Sequence, residues 1–566
     1  MDAEKPHGLA RGLTNYGDAD FSLYLRRSFA KSMGYTGEML ARPVIGIAQT
    51  ASGFNNCHRH FPELVEAVKR GVLAAGGLPL EFPTVSLGEV FLNPTSMMFR
   101  NLMAMDTEEM VRAQPMDAVV LIGGCDKTIP AQLMGAASAD VPAVQLVGGP
   151  MMPMSYHGER LGACTDCRRF WAKFRASEID RKRIDEIEGN LATTAGSCAV
   201  MGTASTMASI AEVLGMALPG SAAIPAVHAD RLRCAEASGR EAMRLVARPI
   251  LPSQIITAKS VENALRVLLA IGGSTNAIVH LTAIAGRLSI PVSLHRLNEL
   301  SDTTPVLVDL KPTGAYYMSD LFCAGGIGAV LRELMPLLHL DCIDVTGTTL
   351  AERLAEPLPF VDRAVVRSFN DPIDKVGGLV ALFGSLAPNG AILKRAAADP
   401  NLFEREGRAV VFTSLDDLAK RIDDPDLDVT ADDFLLMQNA GPKSGYAMPE
   451  AGYLPIPGKL AKAGVKDMVR ISDARMSGTA YGTVVLHVSP EAAIGGPLAL
   501  VKNGDRIRLS VKDRKIDLLI DDAELSRRRA AWKAPAARPQ RGYAQLYMDH
   551  VTQAESGCDF DFLQAK

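Results

Sequence analysis

Short apolar runs alternate with longer amphipathic stretches up to about residue 370. Residues 43–50 and 118–122 are apolar runs with β-branched residues, which predicts buried strands. Residues 62–75 carry apolar side chains at helical spacing, and a helix is predicted from 130 to 139 before a further strand at 143–147. Strand, glycine turn, helix and strand in this order predict the βαβ units of a doubly wound sheet.

The pattern changes after about residue 370. Residues 506–511 alternate between polar and apolar, residues 515–520 do so less strictly, and Asn503-Gly504 supplies turn chemistry before them. We therefore predict an α/β protein with a large N-terminal αβα domain around a mostly parallel sheet, residues 1–372. A smaller β-rich, barrel-like C-terminal domain is predicted for residues 373–566. Two domains agree with a length of 566 residues, which is too long for one hydrophobic core.

Composition and charge narrow the classes of function. Hydrophobic residues make up 48% of the chain and charged residues 22%, as in ordinary globular proteins. The net charge of -4 gives no reason to expect nucleic acid or an anionic membrane as a partner. The first residues lack the apolar core of a signal peptide, and the uncharged stretch 193–211 is so weakly apolar that it predicts a buried helix. We expect a cytoplasmic protein.

The nine cysteines argue against a disulfide framework, because their number is odd and no secretion signal is visible. Cys57, Cys125 and Cys198 lie in glycine-rich or polar turns, far apart in the sequence. Structural zinc sites use close CxxC pairs, so three distant cysteines could instead hold an iron–sulfur cluster with one open iron. The alternative is that each is a small buried apolar residue. The single CxxC, Cys164 to Cys167, lacks a second pair and is interpreted as two structural cysteines.

Several carboxylates and one hydroxyl are candidates for chemistry. Glu89, Asp126 and Glu450 stand in turn-like contexts, and oxygen ligands from scattered loops suit Mg²⁺, although lone acidic loop residues are usually solvated. Lys127 could pair with a carboxylate or lose its proton when desolvated, or be a surface lysine. Ser477 has room beside Gly478 but needs a partner to become a base. The chain has no GxSxG motif, so hydrolase chemistry is not expected.

Four long segments resemble the dihydroxy-acid, phosphogluconate and sugar-acid dehydratases. They are GGCDKTIPAQLMGAASADVPAV (123–144), TTAGSCAVMGTASTMASIAEVLGMALPGSA (193–222), SGYAMPE (444–450) and ARMSGTAYGTVVLHVSPEAAIGGPLALVKNGD (474–505). The resemblance runs from end to end of the chain. It implies a large N-terminal αβα domain, a C-terminal β-barrel-like domain, and assembly as a homodimer or homotetramer.

The resemblance also implies roles for individual residues. Three cluster ligands are implied at Cys57, Cys125 and Cys198, and three Mg²⁺ ligands at Glu89, Asp126 and Glu450. Lys127 matches a lysine that is carbamylated in relatives, Ser477 matches the residue proposed as the base, and Thr479 matches a residue that assists near the substrate.

Three further strings resemble the sugar-acid branch of the family: EFPTVSLGE (81–89), MSGTAYGT (476–483) and the C-terminal RGYAQLYMDHV (541–551). In that branch the cluster is typically [2Fe–2S]. Residues 90–93, VFLN, depart from the usual pattern after Glu89, and that loop could alter substrate choice.

The expected activity is therefore dehydration of a 2,3-dihydroxy sugar acid, such as an aldonate, to a 2-keto-3-deoxy acid. A dihydroxy-acid dehydratase of branched-chain amino-acid synthesis is the nearest alternative, and it would have the same chemistry with a different side-chain pocket. A non-catalytic iron–sulfur protein is a third possibility, but a sensor would need neither a base nor a second metal.

Overall fold

The computed structural model describes residues 6–13, 16–535, 539 and 541–565. The strands of its N-terminal part are β1 (Val44–Gln49), β2 (Leu78–Pro83), β3 (Ala118–Gly123), β4 (Ala143–Val147), β5 (Met154–Tyr156) and β6 (Glu159–Leu161). The helices of this part are α1 (Ala19–Ser32), α2 (Phe61–Ala74), α3 (Ser96–Ala113), α4 (Cys125–Ala139), α5 (Thr165–Arg175), α6 (Arg181–Glu188), α7 (Thr203–Leu214), α8 (Ala229–Ala247), α9 (Pro252–Ile255), α10 (Ala258–Ala270), α11 (Asn276–Gly286), α12 (Leu294–Thr303), α13 (Met318–Cys323), α14 (Gly326–Leu334) and α15 (Leu350–Ala355). Within the described ranges, every helix is too short or too polar to cross a lipid bilayer.

Four parallel strands in the order β2-β1-β3-β4 form the central sheet of this part. Successive side chains of a strand point to opposite faces. Ile45 and Ile47 pack with residues of α2 and α8, whereas Val44 and Ala48 join a core that includes α3, α4 and α7. Both faces are therefore covered by helices, which confirms the predicted αβα layers and explains the continuous apolar runs of the strands.

Two of the predicted helices begin at different residues in the structure. The helix predicted from 130 starts at Cys125, because Gly124 turns the chain directly from β3 into α4 and Pro130 lies inside the helix. The predicted buried helix at 193–211 is α7, which starts only at Thr203. Residues 193–202 form a loop in which Gly196 has a φ of +114°, a conformation outside the helical region. As a result, Cys125 lies at the turn from β3 into α4, and Cys198 lies in the loop before α7.

The C-terminal part is built around a single mixed sheet. Its strands are β7 (Val380–Leu382), β8 (Gly390–Leu393), β9 (Glu404–Phe412), β10 (Phe434–Met437), β11 (Arg470–Ser472), β12 (Val484–Ser489), β13 (Arg506–Ser510) and β14 (Lys515–Leu518). Its helices are α16 (Leu415–Arg421), α17 (Gly458–Lys462), α18 (Asp522–Ala531) and α19 (Gly542–His550). The strand order is β14-β13-β9-β10-β11-β12-β8-β7, with parallel pairs in the middle and antiparallel pairs towards both ends.

The two edges of this sheet meet and make it barrel-like. A bridge pairs Phe383, just after β7, with Lys515 at the start of β14. The predicted β-rich, barrel-like character of the C-terminal part is confirmed, and so is the antiparallel pair β13–β14. The domain boundary placed between residues 372 and 373 stays a prediction.

The end of the chain returns to the N-terminal part and fastens the two parts together. Arg287, the residue directly after α11, forms a fully buried ion pair with Asp559, with Nε 2.6 Å from Oδ2. Arg100 of α3 donates hydrogen bonds to the backbone carbonyls of Gly557 and Cys558, each at 2.8 Å. Because a buried ion pair that loses one partner is strongly destabilising, these contacts hold the barrel in a defined place against the parallel sheet.

Candidate active site

The three predicted cluster cysteines lie on segments near the carboxyl edge of the parallel sheet. Cys57 is in the 3-10 turn Asn56–His58 that follows β1, and Cys125 opens α4 directly after β3. Cys198 is in the loop before α7, and this loop pairs with Pro150, which follows β4. Ligands of doubly wound sheets bind at this edge, where strands pass into helices.

The thiols of this edge form a common pocket. Cys57 lies beside Cys125, and the Sγ atoms of Cys164 and Cys198 are 3.0 Å apart. The contact with Cys125, followed by burial, raises the pKa of Cys57, and the contact with Cys164, followed by burial, raises that of Cys198. Metal binding in this pocket therefore has to release protons from buried thiols.

The spacing of the thiols favours a group with more than one metal atom. Within the residues that the structure describes, no three cysteine sulfurs lie within 4.8 Å of one another. A single tetrahedral metal with bonds of about 2.3 Å would need sulfurs about 3.8 Å apart. The donor set of Cys57, Cys125 and Cys198 therefore fits an iron–sulfur cluster better than a mononuclear zinc ion.

The turn from β3 into α4 places three consecutive functional residues. Cys125 has a φ of +57°, which is uncommon for a residue with a side chain and typical of functional sites. Its thiol lies in the thiol pocket, beside Cys57. Asp126 joins the carboxylates, and the fully buried Lys127 directs its Nζ to Glu89 Oε2 at 3.2 Å.

A second donor set consists of oxygen atoms. Glu89, Asp126 and Glu450 each offer a carboxylate oxygen, and these three atoms lie within 4.8 Å of one another. Lys127 Nζ is 3.7 Å from Asp126 Oδ2. Hard oxygen donors of this kind fit Mg²⁺. This geometry brings together the four residues that the sequence predicted for a metal site.

The pKa shifts of the three carboxyl groups differ in direction. Burial alone would raise the pKa of Glu89, but the charges of Arg475 and Lys127 bring it well below its usual range. Burial and the nearby Glu89 raise the pKa of Glu450 to about 7. Burial also raises the pKa of Asp126. A divalent cation would stabilise the charged form of all three carboxylates.

Arg475 is a buried residue of this site that the sequence analysis missed. Its Nη2 donates to Glu89 Oε1 and to Thr95 Oγ1, each at 2.8 Å, and its Nη1 donates to Glu450 Oε1 at 2.6 Å. The only sequence signal is its place two residues before Ser477 in the segment that resembles the family. Arg475 supplies the positive charge that two neighbouring carboxylates need in the absence of a cation.

The predicted base lies on a loop that docks on the N-terminal part. Ser477 Oγ is 2.8 Å from Thr479 Oγ1. Between them, Gly478 allows the close approach: a Cβ at this position would lie 2.7 Å from Ser274 Cβ and from the backbone nitrogen of Thr203. Glycine at 478 therefore lets the hydroxyl pair reach the start of α7.

A second arginine orients the hydroxyl pair. Arg168 Nη1 donates to Thr479 Oγ1 at 2.9 Å, and Thr165 Oγ1 donates to the carbonyl of Thr479 at 3.0 Å. Because the Thr479 oxygen accepts from Arg168, its own proton is available for donation to Ser477 Oγ. Arg168 was also missed in the sequence, where its partner lies 311 residues away.

Arg168 also lines a cavity of about 880 Å³. Tyr453, Tyr481 and Lys173 share its wall. Arg168 forms no ion pair with any carboxylate in the described part of the chain, so its charge remains available to an anion. Cavities of this size hold small-molecule ligands.

The structure brings all nine predicted site residues to one region, where the loops 444–450 and 474–479 meet the carboxyl edge of the sheet. It also adds Arg168, Arg475 and Cys164. Cys164, which the sequence analysis interprets as a structural cysteine, lies in the thiol pocket, with its sulfur 3.0 Å from that of Cys198.

Comparisons with known proteins agree with this site. Residues 42–353 match the N-terminal region of the dihydroxy-acid/6-phosphogluconate dehydratases, and residues 364–558 match their C-terminal region. The chain is similar to L-arabinonate dehydratase of Rhizobium leguminosarum, with 46% identity over 99% of this chain and 97% of the relative. It is 46% identical to 6-deoxy-6-sulfo-D-gluconate dehydratase of Pseudomonas putida over 93% of this chain and 92% of the relative.

A more distant match is the dihydroxy-acid dehydratase of Acetivibrio thermocellus, which is 39% identical over 94% of this chain and 96% of the relative. The matches to both halves and the near-complete coverage confirm the resemblance inferred from the motifs. The chain belongs to the dihydroxy-acid/6-phosphogluconate dehydratase family and is a hydro-lyase.

Proposed function

We propose that the protein dehydrates a 2,3-dihydroxy sugar acid, such as an aldonate, to a 2-keto-3-deoxy acid. Two relatives named for sugar-acid substrates are 46% identical to it, whereas a dihydroxy-acid dehydratase is 39% identical. The observation that carries the proposal is the meeting of a hydroxyl pair, three carboxylates and a thiol pocket at one edge of the sheet.

The donor sets suggest how two cofactors would be held. Cys57, Cys125 and Cys198 would hold a [2Fe–2S] cluster through their sulfurs, and Glu89, Asp126 and Glu450 would hold Mg²⁺ through their carboxylate oxygens. When bound, these groups act as Lewis acids on the substrate's carboxylate and on its leaving hydroxyl.

Lys127 has a place in this proposal as a carbamate. As an ammonium it balances Glu89 and Asp126, between which its Nζ lies. As a carbamate it would add an anion to a buried group of carboxylates, which is tolerable only with a divalent cation in place. We therefore propose carbamylation together with Mg²⁺, and mass spectrometry of the intact protein would detect the added carbon dioxide.

Ser477 is the proposed base for the proton on C2 of the substrate. Ser477 Oγ accepts a hydrogen bond from the amide of Thr479 at 3.4 Å and lies 2.8 Å from Thr479 Oγ1, to which Arg168 donates. A deprotonated Ser477 would therefore be stabilised by hydrogen bonds and by a nearby positive charge. As the proton leaves C2, its electron pair forms the C2–C3 double bond, and the C3–O bond breaks. The departing hydroxide takes up a proton to become water, and the enol tautomerises to the 2-keto acid.

An anaerobic assay of the Mg²⁺-loaded protein tests the substrate class. The panel holds L-arabinonate, D-xylonate, D-gluconate and 2,3-dihydroxyisovalerate, with formation of a 2-keto acid as the signal. Turnover of aldonates with little on the isovalerate is expected. Preference for the isovalerate would assign the protein to branched-chain amino-acid synthesis, and no turnover with an intact cluster would point to a non-catalytic protein.

A matched pair of cysteine variants tests the cofactor assignment. Cys125→Ser removes a buried thiol of the pocket and should lose the visible absorbance and the turnover together. Cys323→Ser alters an exposed cysteine and should keep both. An intact cluster in Cys125→Ser would remove Cys125 from the ligand set. The proposed homodimer or homotetramer is measured on the same preparations by light scattering.

A further inference from the structure

Cys164 is a thiol of the pocket that has no role in the proposed reaction. It immediately precedes α5, and its Sγ lies 3.0 Å from Sγ of Cys198, 34 residues away in the sequence. Both side chains are half-buried. The proposed function assigns Cys198 to the cluster and leaves its sulfur neighbour unexplained.

The backbone holds the two cysteines side by side. The amide of Ala199 donates to the carbonyl of Ala163 at 3.0 Å, so the residues next to each cysteine are directly hydrogen-bonded. The start of α5 is fixed as well, because the buried Asp166 accepts from the amide of Gly162 and from the hydroxyl of Tyr317, each at 2.9 Å. The short distance between the sulfurs is therefore a consequence of anchored main chain on both sides.

A disulfide needs its sulfurs about 2.05 Å apart. The sulfurs of Cys164 and Cys198 would need to approach by about 1 Å to form the bond. The competing partner is Cys167, which lies within the first turn of α5 and would give a CxxC disulfide. Cys167 also contacts the Cys164 thiol, and the sulfur–sulfur distance of 3.0 Å is to Cys198.

We propose that Cys164 and Cys198 form an oxidation site, at which a peroxide converts the two thiols of the cluster-free protein to a disulfide. The Cys164 thiolate attacks one peroxide oxygen, the O–O bond breaks, and a sulfenic acid and hydroxide form. The Cys198 thiolate then attacks the sulfenic sulfur and expels a second hydroxide. In total, two thiols and one hydrogen peroxide give one disulfide and two waters, with two electrons passing from sulfur to oxygen.

The consequence for the enzyme depends on the proposed function, in which Cys198 is a cluster ligand. The disulfide removes this ligand, so the oxidised protein cannot take up the cluster. A dithiol reductant reverses the change, whereas further oxidation of an isolated Cys198 to a sulfinic acid would be irreversible. Cluster binding and disulfide formation exclude each other, because each needs the same sulfur.

Thiol counting and peptide mapping test the oxidation site. The full-length chain is freed of iron by a chelator without oxygen, treated with one equivalent of hydrogen peroxide, and alkylated. Two of its nine thiols should disappear, with a cross-link between the peptides that carry Cys164 and Cys198, and dithiothreitol should restore all nine. Cys164→Ser should abolish the cross-link, and Cys167→Ser should keep it. A Cys164–Cys167 cross-link, or nine remaining thiols, would overturn the proposal.

Loading with ferrous iron and sulfide separates this inference from the cofactor assignment. The reduced protein should develop visible absorbance, and the oxidised protein should do so only after dithiothreitol. Full loading of an oxidised protein whose cross-link is mapped would leave the oxidation site in place and remove Cys198 from the ligand set. Failure of the reduced protein to load would refute the cluster assignment and the predicted effect of oxidation on cluster uptake. A mapped cross-link would still support the oxidation site.

Discussion

Arg475 Nη2 lies 2.8 Å from Glu89 Oε1, and this contact joins residues that are 386 positions apart. Nη1 of the same guanidinium lies 2.6 Å from Glu450 Oε1. One buried cation of the C-terminal part thus contacts a proposed Mg²⁺ ligand from each part of the chain. The arginine and the metal would share the task of balancing these carboxylates, which gives the metal a measurable effect on stability.

Arg475→Met should lower the stability of the metal-free protein by about 3–5 kcal/mol, because two buried carboxylates lose their paired cation. Mg²⁺ should recover more stability in this variant than in the unaltered protein, since it supplies the missing charge. Thermal unfolding with and without Mg²⁺ measures both effects. Arg527→Met is the control, because Arg527 is exposed and its ion pair with Glu524 should contribute at most about 1 kcal/mol. Equal melting temperatures for both variants would contradict the charge-balancing role of Arg475.

Ser477→Ala should lower kcat by about 10²–10⁴-fold, because it removes the proposed base while leaving the thiols and carboxylates in place. The visible absorbance of the cluster should stay unchanged. Thr479→Ser keeps a hydroxyl next to Ser477 and should keep most of the activity, whereas Thr479→Val should lose it. Steady-state kinetics on the best aldonate, with spectra of the same samples, give the answer. Full turnover by Ser477→Ala would refute its assignment as the base.

Arg168→Gln should lower kcat by about 10- to 100-fold and move the alkaline rise of activity to higher pH. The reason is that the Thr479 hydroxyl loses the hydrogen bond from Arg168, and a deprotonated Ser477 loses a nearby cation. Lys173→Gln is the control, because Lys173 lines the same cavity and has no hydrogen bond to Thr479 in the described structure. A pH–rate profile of each variant distinguishes the two positions. An unchanged profile with a raised KM would make Arg168 a substrate-binding residue instead.

Elements that depend on local pattern could be predicted from the sequence. The strands β1, β3 and β4 are buried on both faces, so they read as continuous apolar runs, and α2 shows a clear helical spacing. The start of α4 could not be read in the same way. Its first turn carries Cys125, Asp126 and Lys127, which lack an apolar pattern, and the proline inside the helix suggested a later start.

The site residues also divide into those that a local sequence motif predicts and those that it does not. The nine residues carried by family motifs were predicted, but the residues that orient and balance them were not. Arg168 lies outside the quoted motifs, and Arg475 lies inside one that gives no sign of its partners. Arg168 and Arg475 find their partners 311 and 386 residues away, and such pairs arise only when the two parts of the chain pack together. The contact of Cys164 with Cys198 could not be predicted for a similar reason, because the two residues are 34 positions apart in the sequence.

Glu491 is a buried residue whose protonation links the stability of the fold to pH, and it contacts the loop that carries Glu450. Its carboxylate oxygens accept hydrogen bonds from the amide of Lys443, at 2.9 Å, and from Gln553 Nε2, at 2.6 Å. Burial, together with the nearby Asp473, raises the pKa of Glu491 to about 8, compared with 4.5 for an ordinary glutamate. Between these two values the folded protein holds a proton that the unfolded chain has lost.

Glu491 should therefore lower the free energy of unfolding by up to about 5 kcal/mol as the pH rises from about 4.5 to 8. Outside that range its contribution should change little. Glu491→Gln keeps an acceptor for Lys443 but cannot ionise, so its stability should decline less over the same interval and exceed that of the unaltered protein near pH 8. Melting temperatures at closely spaced pH values give both curves. Glu356→Gln, at an exposed position, should follow the unaltered protein. Parallel curves for Glu491→Gln and the unaltered protein would show that Glu491 is already ionised in the fold at low pH, and that the backbone amide of Lys443 compensates its burial.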